Sequence, residues 1–217
     1  VIRLKWFLPN ALMDERLFFP ATERNRGPIG EVFSKILPSN GFVLEIASGS
    51  GEHGVTFQER FPNIHWQTSD PDPSYRKSIS AWIKHQGLIA KMPQPLDLDV
   101  HKKPWPLTHE FRLSLKAIVC INMIHISPWG CTQALFEESG DLLEKDQWLM
   151  LYGPFKRNGE HTSESNARFD QSLKVQNPTW GVRDLDVVSE VGIKNGFENH
   201  DIFEMPANNL SVIFQKR

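Results

Sequence analysis

Along the chain, short β-rich apolar runs alternate with stretches whose apolar residues recur at helical spacing, the pattern of an α/β domain built on a parallel sheet. Ile29, Val32, Phe33, Ile36 and Leu37 share one helical face, so a helix is expected over 30–37, with Pro28 in its first turn and Pro38 as its stop. Phe42 to Ala47 is apolar apart from Glu45 and runs into Ser48, Gly49, Ser50 and Gly51. This reads as a buried strand entering a glycine turn. Glu52 to Phe61 is then a helix ended by Pro62, and His65 to Ser69 a second strand ending at Asp70. Ile79, Trp82 and Ile83 give residues 74–86 one apolar face, with Gly87 as the stop. Pro95 to Val100 alternates as a third strand and Lys116 to Asn122 forms a fourth. A helix over Thr132 to Leu143 and a fifth strand over Gln147 to Tyr152, stopped by Gly153 and Pro154, follow. A loop-rich stretch runs to Arg183, then a helix from Asp184 to Asn195 capped by Gly196. Two strands, Glu198 to Glu204 and Leu210 to Lys216, close the chain around the tight MPANN loop.

At 217 residues the chain is expected to be a single domain, with an extension over 1–23 and a lid-like insertion over 153–183. Apolar residues make up 40%, charged residues 23%, and the net charge is −2, which excludes a disordered chain and a strongly basic nucleic-acid binder. Cys120 and Cys131 lie in no CxxC or Cys/His array, so neither a disulfide framework nor a metal site is expected, and a reducing cytoplasmic setting is. No apolar run approaches the roughly 20 residues of a membrane span, and Val1 to Leu8 lacks the features of a signal peptide. Nothing in the pattern bears on oligomeric state.

Gly49, Gly51 and Gly54 form GxGxxG directly after a strand and at the opening of a helix. Without Cβ atoms such a turn bends sharply and lets backbone N–H groups approach a ligand, while the helix N-terminus offers partial positive charge. An ordinary strand-to-helix turn has the same glycines, but the strand and helix on either side favour a nucleotide. Glu45, four residues before Gly49, separates the nucleotide classes. A buried carboxylate needs a partner, and it suits a ligand with an ammonium group or a cradle of N–H donors better than one presenting a pyrophosphate. Asp70 lies 19 residues beyond Gly51, placed to accept from ribose hydroxyls in either class.

ExxxGxG at Glu45 to Gly51 resembles motif I of the class I S-adenosylmethionine-dependent methyltransferases, with Ala47 where many members have glycine. The resemblance implies an α/β, Rossmann-like seven-stranded sheet, mostly parallel with an antiparallel C-terminal hairpin strand. It implies S-adenosyl-L-methionine as cofactor and S-adenosyl-L-homocysteine as product. Asp70 is implied at the ribose, with Asp72 as a nearby alternative, and Pro71 between them belongs to the expected cofactor set. Asp99 with Val100 is implied at the adenine amino group, Asp97 being the weaker choice, and Asn122, Met123 and His125 flank the cofactor. Arg26, Ala47, Ser48, Ser50 and His53 complete the expected cofactor set. The segments ERNRGPI, LEIASGSGEH, CINMIHISP, YGPF, NPTWGVRD and MPANN together resemble the methyltransferase-like 26 family, a domain-of-unknown-function group, from about Arg24 to the C-terminus. What this implies is methyl transfer to an unassigned acceptor.

Ligands of parallel sheets bind beyond the C-terminal ends of the strands, so the loops after Asn122, after Tyr152 and at MPANN are expected to converge on the acceptor. Arg24 and Arg26 precede the first helix and can fold over the same mouth, where a planar fork suits the cofactor's carboxylate. A solvated arginine at a helix start fits each of them equally. Phe155, Phe169 and Trp180, with Asn166, Asp170, Arg183 and Asp184, furnish a lid whose aromatic faces either stabilise a sulfonium or pack the lid down. His125 is the best placed general base, with a structural histidine behind the cofactor as its plain counterpart. Tyr152, Asn208 and Asn209 are placed to orient a substrate. The expected acceptor contacts are thus Arg24, Tyr152, Phe155, Asn166, Trp180, Arg183, Asn208 and Asn209. His101, His109, His161 and His200 are expected at the surface. The slightly acidic chain points to a small-molecule acceptor rather than nucleic acid. Two other classes fit the glycine loop: a cofactor-binding regulatory protein without transfer activity, and a nicotinamide-dependent oxidoreductase.

Overall fold

The computed structural model describes residues 14–217, so the expectation for Val1 to Leu8 lies outside it. Six strands form the main sheet in the order β2-β1-β3-β4-β9-β8: β1 (Gly41–Ile46), β2 (Ile64–Thr68), β3 (Leu115–Ile121), β4 (Trp148–Gly153), β8 (Phe197–Met205) and β9 (Asn209–Lys216). The first four are parallel, while β9 runs antiparallel to both β4 and β8. At the seventh, edge position of the mostly parallel sheet, the third strand expected over Pro95 to Val100 is reduced to a single bridging residue, Leu96. It pairs with β2's end through one parallel bridge, Ser69 to Leu96, flanked by Leu96 N–H to the Thr68 carbonyl at 3.0 Å and Asp70 N–H to the Leu96 carbonyl at 3.1 Å. Pro95, without an N–H, cannot extend that ladder upstream.

Alternate residues of β1 go to opposite faces. Val43 packs with Ile29, Phe33, Phe57 and Trp66 under α1 (Pro20–Ile36), α2 (Glu52–Arg60) and α3 (Pro73–His85). Leu44 and Ile46 join Leu135 and Phe136 of α5 (Trp129–Leu142) and Val188 of α7 (Leu185–Lys194). A short α4 (His109–Ser114), capped by the Thr108 hydroxyl, leads into β3. Helix α1 begins ten residues earlier than its apolar spacing predicts, at Pro20, and Pro28 stands inside it instead of in its first turn. The inward positions of this first half are Thr22 and Asn25, so the buried stripe is polar and shows no hydrophobic period.

The stretch after β4 is more regular than expected. Strands β5 (Phe155–Arg157), β6 (Glu160–His161) and β7 (Arg183–Asp184) form a small sheet ordered β6-β5-β7, and α6 (Glu164–Gln176) fills what the sequence presents as loop. Ser163 caps α6 by accepting from Asn166 N–H at 3.2 Å. Its buried positions are Asn166, Asp170 and Leu173, a helical stripe in which two of three members are polar. Asp170 clips the insertion together: it accepts from Val182 N–H at 2.7 Å and from the Lys174 ammonium at 2.7 Å. His161 and Lys156 stand 3.2 and 3.6 Å from the same carboxylate. Among the described residues no helix is long and apolar enough to cross a membrane.

One carboxylate interrupts the apolar core. Glu45 is fully buried in β1 and accepts from the Trp66 indole N–H at 2.8 Å. Gly54 makes room for it, since a Cβ there would sit 3.0 Å from the Glu45 Oε2 and 2.5 Å from the Thr68 methyl. Burial pushes the Glu45 carboxyl up to about 7, against the pull of the Trp66 and Ser48 hydrogen bonds.

Two predictions follow from these buried acids. The folded state holds the Glu45 proton to higher pH than the unfolded chain, so its contribution is fully present below the ordinary Glu value and declines as pH rises to about 7. Chemical denaturation at pH 5 and pH 8 should therefore show the wild type losing up to about 3 kcal/mol relative to Glu45→Gln; parallel pH profiles would overturn this. Asp170 behaves oppositely. Although burial raises it, the Lys174 and Val182 hydrogen bonds hold its carboxyl below the usual range, so its contribution exists above the unfolded value and is lost as pH falls through the folded one. Asp170→Asn should destabilise the insertion by about 1–3 kcal/mol at pH 7, read as faster amide exchange over 154–183, with the difference narrowing in acid.

Candidate active site

The turn after β1 is built from left-handed backbone: Ala47 (φ 54°), Gly49 (φ 56°) and Gly51 (φ 93°). Only glycine adopts this region without strain, so Ala47 carries a local penalty of about 1 kcal/mol. Gly51 is required twice over, because a Cβ would also lie 2.7 Å from the Ile79 Cα. Three bonds sew the turn to the end of β2. Ser48 N–H donates to the Ser69 carbonyl at 2.8 Å, Ser69 N–H donates to the Ser48 hydroxyl at 3.1 Å, and the Ser69 hydroxyl donates to the Glu45 carbonyl at 2.7 Å. Asp70 completes the lock, accepting from Gly49 N–H at 3.0 Å and from Asp72 N–H at 2.9 Å. Burial raises the Asp70 carboxyl against these bonds.

The neighbouring acids have different partners. Asp72 caps α3 by accepting from Ser74 N–H at 2.7 Å, and the Ser74 bonds lower its carboxyl. Pro71, exposed beside it, gives its carbonyl to Arg76 at 2.8 Å. Asp99 is half-buried and accepts from His101 N–H at 3.0 Å, with Val100 buried next to it. Asp97 is exposed and pairs with Arg76 at 3.2 Å.

Sequence reasoning overlooked two residues that shape this mouth. Glu52, first in α2 and buried, accepts from Phe19 N–H and from the Ser50 hydroxyl, both at 2.9 Å. This holds the residues before α1 across the turn, the Phe19 ring lying 3.2 Å from where a Gly49 Cβ would be. Asn25 is the second. Its buried side chain bonds His53 Nε2 at 2.8 Å, and burial, reinforced by the Arg26 charge, brings His53 down to about 3. Asn25 and Asn209 also approach the Tyr152 phenol, whose pKa is raised by burial and acted on by the Arg24 charge. A carboxylate opening a helix and an Asn beside two Args were the signals available.

The loop after β3 turns at Asn122 (φ 64°), whose N–H donates to the Tyr152 carbonyl at 2.8 Å. Met123 accepts from the Ser127 hydroxyl at 3.2 Å. His125 is 1% exposed, and neither ring nitrogen has a partner among the described residues. Burial brings it down to about 3, with Arg183 adding to the shift, so the imidazole is neutral at pH 7. Phe155 packs edge-on against it with ring centroids 5.3 Å apart. Gly153 lies so close that a Cβ there would overlap the His125 ring.

The expected acceptor contacts divide into two groups. Arg24, Asn25 and Asn209 each act on the Tyr152 phenol, and the Asn209 amide donates to the Pro206 carbonyl at 3.0 Å. Arg183 instead donates to the carbonyls of Ile124 at 2.9 Å and Ser127 at 2.6 Å, and Asn166 donates to the Asn208 carbonyl at 3.0 Å. The Asn208 amide in turn donates to Ser165 at 3.2 Å. Phe155 is fully buried, while Trp180 is half-buried with its N–H on the Asn177 carbonyl. His101 and His109 are exposed, whereas His161 is half-buried beside Asp170 because the clip recruits it; the His200 side chain lies outside the described residues. Among the described residues no cluster of three or more His, Cys, Asp or Glu could hold a metal. An open groove of about 580 Å³ between Trp129, Lys156, Val182 and Val187 is lined in large part by the insertion and contains none of the glycine-turn residues.

The fold is that of the class I methyltransferases. It superposes on an O-methyltransferase described as putative from Nostoc punctiforme with a TM-score of 0.75 at 12% identity, covering 90% of this chain and 58% of that one. Human N-acetylserotonin methyltransferase, solved with S-adenosylmethionine, gives 0.73 at 12% identity, with 90% and 52% covered. An O-methyltransferase family protein from Burkholderia thailandensis gives 0.71 at 15% identity, with 90% and 57% covered. The chain thus spans between half and three-fifths of the length of these solved proteins. A family model described as "Protein of unknown function (DUF938)" matches residues 16–216. With that match over nearly all of its described length, the chain belongs to the DUF938 family.

Proposed function

We propose that the protein is an S-adenosylmethionine-dependent methyltransferase acting on a small-molecule acceptor. The observation that carries this reading is the left-handed glycine turn locked by Asp70 at the C-terminal edge of a class I methyltransferase sheet. Its bare backbone and the start of α2 fit a ligand that approaches closely. In this reading Ala47, Ser48, Gly49, Ser50 and Gly51 line the cofactor, Asp70 with Pro71 and Asp72 takes the ribose, Asp99 with Val100 the adenine, and Arg26 the carboxylate. Asn122 and Met123 flank it, while Glu45 and His53 sit one layer behind, held by Trp66 and Asn25. The whole chain is read as one domain with the 153–183 insertion as its lid. The six family-like segments support the finer placement among methyltransferase-like 26 proteins, and the two free cysteines support a reducing compartment.

S-adenosylmethionine would supply an electrophilic methyl group on its sulfonium. The chain's task is alignment of the acceptor and exclusion of water. The insertion closes over His125 through Gly181 N–H, which donates to the His125 carbonyl at 2.9 Å. If the nucleophile arrives protonated, the neutral His125 imidazole accepts its proton only when acceptor binding opens this buried site and restores the basicity that burial lowers. Tyr152 and Asn209 orient the acceptor by hydrogen bonds.

Calorimetry with S-adenosylhomocysteine should show binding to the wild type, and Asp70→Ala should weaken it at least tenfold, about 1.4 kcal/mol. Unchanged affinity in Asp70→Ala, or thermal stabilisation by NAD(P) and not by S-adenosylhomocysteine, would sink the proposal. Once an acceptor is turned over, His125→Ala should lower kcat by roughly 10²-fold while leaving S-adenosylhomocysteine affinity unchanged; equal turnover would assign His125 a structural role.

A further inference from the structure

Residues 16–19 form a strap that precedes α1 and is bound to the first turn of α2 and to α3. Leu17 and Phe18 are exposed, and Arg16 and Phe19 are half-buried, so apolar burial alone holds the segment weakly. Directional bonds hold it instead. Leu17 N–H donates to the Ser78 hydroxyl at 2.8 Å, and Phe19 N–H donates to the Glu52 carboxylate at 2.9 Å. The Leu17 carbonyl accepts from the Trp82 indole N–H at 3.0 Å. On the same indole stand the Arg16 guanidinium, 4.8 Å from the ring centroid, and the Phe18 ring, edge-on at 5.0 Å.

Both amide anchors lead to one residue of the glycine turn. The Ser78 hydroxyl that accepts from Leu17 donates to the Ser50 carbonyl at 2.7 Å. The Glu52 carboxylate that accepts from Phe19 also accepts from the Ser50 hydroxyl at 2.9 Å. Ser50 therefore ties the strap to the turn twice, once through its main chain and once through its side chain. A ligand that fixes the turn fixes the docked strap as well, and the coupling is reciprocal. The Phe19 ring reaches from 3.2 Å of where a Gly49 Cβ would be to the Tyr75 ring of α3, edge-on at 5.9 Å. Gly49 is bonded to Asp70, and Tyr75 follows Asp70 by five residues. The ring thus borders the mouth on the side where Asp70 stands.

We propose that Phe19 is a cofactor-contacting residue, held against the cofactor on the glycine turn by the 16–19 strap, and that the cofactor leaves when this strap undocks from Ser78 and Glu52. This rests on the methyltransferase reading and deepens it by adding a contact and an exit route to the same site. In that reading the cofactor lies along Gly49, and a ring this close to Gly49 is within packing distance of it. The ring is half-buried, so the chain leaves part of its surface uncovered for an apolar contact that excludes water from the bound cofactor. Asp70 supplies the polar contact and Phe19 the cover.

The test measures S-adenosylhomocysteine affinity by calorimetry, its dissociation rate by stopped-flow fluorescence, and amide exchange by NMR. Saturating S-adenosylhomocysteine should slow exchange of the Leu17 and Phe19 amides roughly fivefold more than that of β8, at the far edge of the sheet. Phe19→Ala should weaken binding about tenfold, mainly through faster dissociation, and Phe19→Tyr should restore it to within about twofold. Phe18→Ala removes a ring of the same strap that stands on Trp82, and should leave affinity within about twofold of the wild type. Ser78→Ala keeps the Phe19 ring but removes the Leu17 anchor, and should speed dissociation roughly threefold or more. Unchanged affinity in Phe19→Ala, equal losses in Phe18→Ala and Phe19→Ala, or unchanged dissociation in Ser78→Ala would overturn the proposal. Should Phe19→Ala fail to fold, the exchange comparison on the wild type decides: strap amides slowed no more than β8 would overturn it. A wild type that does not bind S-adenosylhomocysteine overturns the methyltransferase reading itself, whereas binding that is indifferent to Phe19 overturns only the contact proposed here.

Discussion

The structure depends on a turn that reverses handedness three times in five residues. Ala47, Gly49 and Gly51 all stand at positive φ, and although the Gly51 amide closes on the Ser48 carbonyl at 3.1 Å, the amides of Ser48 and Gly49 go to β2's end instead of to the turn itself. What holds that conformation is the end of the next strand: Asp70 takes the Gly49 amide, and Ser69 exchanges bonds with Ser48 and Glu45. The turn therefore forms only when β1 and β2 are in register. Their pairing, Glu45 opposite Thr68, sets the loop geometry as much as the glycines permit it. Helix α2 starts at the angle this turn dictates, and Gly51 and Gly54 let it approach Ile79 and Thr68 without a Cβ between.

From that constraint follows the unusual use of buried polar groups. Burying a carboxylate or an amide without a partner costs several kcal/mol, and such groups persist where the arrangement they enforce is worth more than an apolar replacement. Glu45 joins β1 to Trp66 of β2, and Glu52 joins α2 to the chain before α1. Asn25 joins α1 to α2 and to the end of β4, while Asp170 joins the parts of the insertion. All connect elements at one end of the sheet. The two faces are filled mainly by Phe, Trp, Ile and Leu packing, while buried Gln58 donates to the Ile64 carbonyl and accepts from Trp66 N–H at the opposite end, and buried Glu138 of α5 accepts from Trp105 N–H. Polar pairs have fixed directions and apolar contacts do not, so these bonds fix the relative placement of the strand ends and loops around the glycine turn.

That division also explains which parts of the molecule were legible in the sequence. Strands β1, β3 and β4 and helices α2, α3, α5 and α7 bury apolar residues at regular spacing, and each lies within a few residues of where its pattern places it. The first half of α1 and all of α6 present Thr22, Asn25, Asn166 and Asp170 inward, so a hydrophobic period cannot reveal them. The glycine turn and Asp70 were visible because φ above zero and an acid after β2 leave residue-type marks. Arg183 and Asn166 carry the same chemical signature as ligand contacts, yet their donors go to carbonyls of the chain itself. Residue type shows what a side chain can donate to; only tertiary geometry shows whether the chain has already supplied the acceptor.

His125 illustrates how the two kinds of information combine. An imidazole whose two nitrogens are buried and find no partner among the described residues is held in an unfavourable place. The surroundings hold the ring without satisfying it. Gly153 leaves room for it, Phe155 fixes its edge, and the Gly181 amide grips its carbonyl and not its ring. Gly181 is joined to Val182, whose amide is bound by Asp170, so the clip that closes the insertion also sets the backbone of His125. The fold of the insertion and the backbone position of the imidazole are therefore joined in one bonded unit.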